Sequence, residues 1–117
     1  MKGLFSLILI FVIGCSTTSS HTSSDIAYAP GAFTQWQKAG RNYEAVQYAE
    51  ALQAYQEFTQ AYPYSRWNEM AYYFIAQCHH KLNQTESARK AYQQVVEKYP
   101  GTVWADLARD RMGELGK

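Results

Sequence analysis

The sequence predicts an all-α fold in which antiparallel helical hairpins stack into a short solenoid, about two repeats plus a capping helix, over residues 31–117. Three observations predict it. Ala51, Ala54, Tyr55, Gln56, Tyr62, Pro63, Trp67 and Ala71 return without a gap 37 positions later as Ala88, Ala91, Tyr92, Gln93, Tyr99, Pro100, Trp104 and Ala108. Self-similarity at a period of about 20–50 residues marks units that cannot bury their own apolar face and lean on the next. Within each unit the apolar residues fall three and four apart, at Ala51, Ala54, Tyr55, Phe58 and Tyr62 and at Ala88, Ala91, Tyr92, Val95, Val96 and Tyr99, the helical spacing. Each stripe closes on a Tyr-Pro pair, and proline pushes the residue before it out of the helical region.

In chain order, residues 1–14 read as a signal segment. Lys2 precedes the uncharged run Leu4 to Ile13, too short for a membrane span of about 20 residues. A basic start and a short apolar core ending in a small residue describe a secretory signal. Its last residues, Val12-Ile13-Gly14-Cys15, resemble the bacterial lipobox. That resemblance implies cleavage before Cys15, with a diacylglycerol on the sulfur and a third acyl chain on the amine. Two or more chains anchor stably where one does not. An ordinary signal peptide with an incidental Cys15, or a short uncleaved anchor, are the alternatives. Ser16 in place of an Asp after the cysteine implies the outer membrane, periplasmic face. Residues 15–30 then form a Ser/Thr-rich tether, with His21 inside it, that cannot bury enough apolar surface to order itself.

Five helices should follow the Pro30-Gly31 break, at about 31–46, 48–61, 66–82, 85–98 and 102–115. Ser65, Thr85 and Thr102 are placed to cap the third, fourth and fifth, with Glu69, Glu86 and Asp106 in the first turns on the positive end of each dipole. The last helix is amphipathic, with Trp104, Leu107, Ala108, Met112 and Leu115 on one side and Asp106, Arg109, Asp110 and Glu114 on the other, a solvating cap.

This pattern resembles the tetratricopeptide repeat. The second unit carries the family's packing residues at Tyr72, Ile75, Ala76, Ala88, Tyr92, Val95 and Pro100, and the first at Ala39, Ala51, Tyr55, Phe58 and Pro63. The first unit departs at Lys38, where an apolar residue is usual, and at Trp36, one place off the family's large residue. The 37-residue period and the Tyr-Pro-x-Ser/Thr-x-Trp turn are similar to repeats of periplasmic bacterial proteins serving outer-membrane β-barrel assembly and Tol/Pal-linked division. The resemblance implies a lipoprotein scaffold that binds protein or peptide segments of the cell envelope. Pilus or secretion assembly, and a peptidoglycan- or small-ligand-binding module, are the competing readings.

The resemblance also implies a concave groove lined by the first helix of each unit, one residue beyond the packing stripe. Those positions are Trp36, Gly40 and Tyr43, then Tyr73, Gln77 and His80. Trp and Tyr supply contact area at little entropic cost, and Gly40 would let a peptide approach the backbone. Trp36 and Tyr73 have a second reading, packing on the neighbouring helix; for Gln77 and His80 it is a solvated surface.

Charge and chemistry narrow the function further. Without Lys2 the chain holds ten Lys and Arg against ten Asp and Glu, interspersed, which gives no electrostatic footprint for nucleic acid. Cys78, His79 and His80 are consecutive and fan around a helix by about 100° each, so they cannot share a metal. Cys78 reads as a small buried hydrophobe. No nucleophile triad or glycine-rich phosphate loop stands in the sequence. The expectation is a non-enzyme with no cofactor and no metal, of undetermined oligomeric state.

Overall fold

The computed structural model describes residues 29–116; Cys15, the expected signal segment and the tether up to Tyr28 lie outside them. Five helices follow: α1 (Ala32–Glu44), α2 (Tyr48–Ala61), α3 (Asn68–Lys81), α4 (Thr85–Lys98) and α5 (Val103–Glu114). Each packs on its neighbour in sequence, and α3 also touches α5. Short connections make successive helices antiparallel, so α1, α3 and α5 run the same way. Among the described residues no helix is long and apolar enough to cross a membrane.

Small residues set the helix contacts. Ala39, Ala51, Ala71, Ala76, Ala88, Ala105 and Ala108 are all fully buried, letting the backbones approach closely. Larger side chains fill the space between them. Tyr55 and Phe58 anchor the first cluster with Cys78, and Tyr92 and Val95 anchor the second.

The repeated aromatic residues make a repeated contact. Trp67 stacks on Trp36 with centroids 6.2 Å apart, and one period later Trp104 lies on Tyr73 at 5.4 Å. Each turn tryptophan thus closes the crevice between its own helix and the first helix of the preceding unit.

The hairpin turns within the two units are also superimposable in hydrogen bonding. Val46 N–H donates to the Tyr43 carbonyl at 3.1 Å and Gln47 N–H to Asn42 at 2.9 Å; Asn83 and Gln84 repeat this on His80 and His79 at 3.0 and 2.9 Å. This C-terminal cap needs a left-handed residue, here Val46 at φ 63 and Asn83 at φ 57. It also ends α1 at Glu44, short of the expected boundary.

Two of the three expected caps differ. The Ser65 hydroxyl accepts from Trp67 N–H at 3.2 Å, a turn bond, and α3 starts only after Trp67. Thr85 is already inside α4, because the left-handed Asn83 delivers the chain into helix at once and the Gln84 carbonyl accepts from Ala88. Thr102 caps as expected, accepting from Ala105 N–H at 3.2 Å.

Val46 is the strained member of the pair, since a left-handed β-branched residue costs roughly 1–2 kcal/mol and Asn relieves it through its short polar side chain. Val46 is also well exposed, so it gives up little packing. Val46→Asn is expected to stabilise the domain by about 1 kcal/mol in urea denaturation, and Asn83→Val to destabilise it by a similar amount.

Burial pushes the Cys78 thiol up from 9.0 to about 12. Burial, then Tyr72 and Glu69, raises Tyr99 from 10.0 to about 12. The folded chain therefore keeps protons that the unfolded chain loses. The contribution of these groups is full below pH 9.0 and is lost as pH rises towards 12, with Cys78 alone giving a slope of up to about 1.4 kcal/mol per pH unit. Denaturation series at stepped pH should show this fall, and Cys78→Ala should flatten its first part, between pH 9.0 and the 10.0 at which unfolded tyrosines begin to titrate.

Candidate functional site

The six expected groove residues divide between two concavities. Tyr43, Tyr73, Gln77 and His80 meet in one of about 490 Å³, joined there by Phe74, Lys81, Arg111 and Glu114. Trp36 and Gly40 line a separate one of about 520 Å³ on the outer side of α1, with Phe33, Gln37, Arg41 and Glu44. Three helices, α1, α3 and α5, build the first.

Local packing fixes each side chain in it. Tyr73 is 6% exposed, held by Trp104 and by Tyr92, whose centroid lies 6.0 Å away. Its hydroxyl accepts from Gln77 Nε2 at 2.7 Å. Gln77 is only 7% exposed, which corrects the solvated surface expected for it: the amide turns inward because the Tyr73 hydroxyl, one helical turn earlier, gives it a buried partner. His80 is half-buried, its Nδ1 sharing a hydrogen bond with the Tyr92 hydroxyl at 3.2 Å. Tyr43 lies edge-on to Phe74 at 5.1 Å and to Tyr48 at 5.4 Å. Its phenol is raised by burial and then by Tyr48, Cys78 and Tyr73.

Trp36 behaves as frame. It sits against Tyr55 at 5.4 Å and Phe58 at 5.7 Å as well as Trp67. Gly40 has open space before it: a Cβ there would meet nothing nearer than the Tyr55 hydroxyl at 3.9 Å.

Arg111 and Glu114 are the residues the sequence pattern does not single out. Arg111 Nη1 donates to both Glu114 carboxylate oxygens, at 3.1 and 3.0 Å. Interaction with Tyr73 and then with Glu114 raises the guanidinium above its usual range, so it stays charged. The signal for both is a third pass of the period, which sets Arg111 against Phe74 and Glu114 against Gln77.

The pocket lies toward the C-terminal ends of its three helices, whose partial negative charge is offset by Lys81 and Arg111. Aromatic walls with a few fixed donors suit holding a peptide side chain in place. Among the described residues no three His, Cys, Asp or Glu converge as for a metal.

The tetratricopeptide repeat family matches residues 37–110, more than half of the 117-residue chain. The chain belongs to that family. No curated protein and no solved structure is significantly similar to it. Tetratricopeptide repeats are interaction scaffolds, and this chain carries protein-protein contact surface on a tetratricopeptide frame.

Tyr73→Phe tests the buried polar pair. It leaves the Gln77 amide buried without its partner and is expected to cost about 1–3 kcal/mol, while adding Gln77→Leu to the same chain recovers most of the loss in denaturant titrations.

Proposed function

We propose that this protein is a tetratricopeptide scaffold held by lipid on Cys15 at the periplasmic face of the outer membrane, where it binds protein or peptide segments in envelope assembly. The systems meant are outer-membrane protein assembly and Tol/Pal-linked division. The observation that carries the binding half is the pocket of about 490 Å³ between α1, α3 and α5, whose aromatic walls and charged rim come from three separate helices. The Val12-Ile13-Gly14-Cys15 sequence supports the anchor, and the Tyr-Pro-x-Ser/Thr-x-Trp turns support the envelope setting.

The test is cross-linking and affinity purification of the full lipidated chain from its own envelope. A barrel-assembly subunit recovered with it favours the first system, and Pal or a Tol subunit the second. Arg111→Gln with Lys81→Gln should lower that recovery, by about tenfold in affinity if the rim contributes ~1.4 kcal/mol. Recovery unchanged in this variant, with the helical signal intact, would place the contact elsewhere. Retention of isolated cell-wall fragments by the domain would instead favour a peptidoglycan-binding module.

A further inference from the structure

We infer that the edge of the array formed by the N-terminal ends of α1, α3 and α5 is a membrane-contacting surface that rests in the headgroup region of the bilayer. The inference rests on the Cys15 anchor proposed above and goes beyond it by naming which edge of the domain meets lipid.

Four large apolar residues are exposed among the described residues, and three of them stand on this edge. Phe33, 57% exposed, is in the first turn of α1; Tyr64, 76% exposed, is in the turn before α3; Val103, 63% exposed, opens α5. The Phe33 ring lies 6.0 Å from Trp67, a further aromatic of the edge. The Arg66 guanidinium stands 5.7 Å over that indole, a cation beside aromatic rings. Amphipathic rings and a basic group are the side chains that settle at a bilayer interface, the rings among the headgroups and the cation near phosphate. The first turns of α3 and α5 carry the carboxylates Glu69 and Asp106, and Asp106 is paired with Arg109 at 2.9 Å.

The chain also enters the domain here. Ala29 packs on the first core cluster, and its carbonyl accepts from Ala32 N–H at 3.0 Å. Gly31 sits so close to the Tyr-Pro turn that a Cβ on it would come within 2.6 Å of the Tyr62 hydroxyl. Residues 29–31 are thus held against the first core cluster and the Tyr62-Pro63 turn, one residue before Tyr64. Cys15 stands 14 positions before Ala29, so the intervening chain reaches no further than about 50 Å even when fully extended. Anchoring therefore delivers this edge to the bilayer at high effective concentration, so that weak partitioning by a few side chains is enough to orient the domain. The opposite edge, with the hairpin turn at Val46, faces away, and the pocket of Tyr43, His80 and Arg111 at that end stays open to the periplasm.

The test uses the full lipidated chain in mixed phosphatidylethanolamine and phosphatidylglycerol vesicles, some with brominated acyl chains. A polarity-sensitive fluorophore is placed on Phe33→Cys, Tyr64→Cys or Val46→Cys; Cys78 is buried and stays unlabelled. Groups lodged about 5–10 Å into the headgroup boundary should show bromine quenching about twofold or more above that at position 46. Quenching at 33 and 64 no greater than at 46 overturns the inference while leaving the anchor standing. The mass of the Cys15 peptide reads the anchor separately, and an unmodified Cys15 removes both.

Discussion

The Phe74 ring lies on Tyr55 with centroids 5.4 Å apart and planes 9° from parallel, and the coupling of the two repeats depends on this contact. Phe74 also meets Trp36 at 6.3 Å and Tyr43 at 5.1 Å in the first unit, and Tyr73 and Trp104 on its other side at 5.7 and 6.4 Å. Aromatic pairs contribute about 0.5–1.5 kcal/mol each beyond their buried area. The stability of a solenoid is close to a sum of unit and interface contributions. With so few units, one interface decides whether the helices behave as a single body. Phe74 stands at that interface and packs against both core clusters.

The pocket exists because the period is broken where Phe74 would recur. Arg111 occupies the corresponding place on α5, and Glu114 the place of Gln77. A phenyl ring there would fill the crevice between α3 and α5 as Phe74 fills the one before it. The guanidinium instead turns to Glu114, and a concavity of about 490 Å³ stays open. Its floor, Tyr73 hydrogen-bonded to Gln77, is buried and belongs to the frame. Its rim, Lys81, Arg111 and Glu114, is the part free to change partners. An exposed pair three residues apart on one helix is worth only a fraction of a kcal/mol, so Glu114 yields Arg111 to a competing group at little cost.

The frame was legible in the sequence because it is carried by things a one-dimensional pattern expresses. Alanines at helix contacts, apolar residues at helical spacing and Tyr-Pro breaks each act within a turn or two of chain, and they led to five helices with boundaries off by at most two residues. The site was legible only in part. Trp36 and Tyr73 stand at positions expected to line a groove, yet the tryptophans one unit later, Trp67 and Trp104, pack on them. Whether a face is open depends on what the next unit supplies, which spacing within one helix cannot express. Gln77, one residue beyond the packing stripe, was expected to face the groove or solvent, and its burial follows from a hydroxyl four residues away. The left-handed Val46 had no signal of its own. Only the hydrogen-bond pattern shared with Asn83 identifies it.

The same comparison of equivalent positions distinguishes the outer face of α1 from an inter-repeat face. On α3 the residues turned toward the preceding unit are Phe74 and Cys78, both packed into the first core cluster. Their counterparts on α1 are Gln37 and Arg41, both exposed. A unit stacked on α1 in the manner of α3 on α2 would have to bury a guanidinium whose one hydrogen bond, to the Gln37 carbonyl, is weak at 3.4 Å. An uncompensated buried charge costs several kcal/mol, more than the aromatic contacts of such an interface return. The concavity lined by Phe33, Gln37 and Arg41 is therefore a poor seat for another repeat and a reasonable one for water or a polar partner. Its one large exposed apolar side chain, Phe33, lies at the end nearest the tether. The polar stretch of α1 thus keeps the apolar contact confined to one edge of the array.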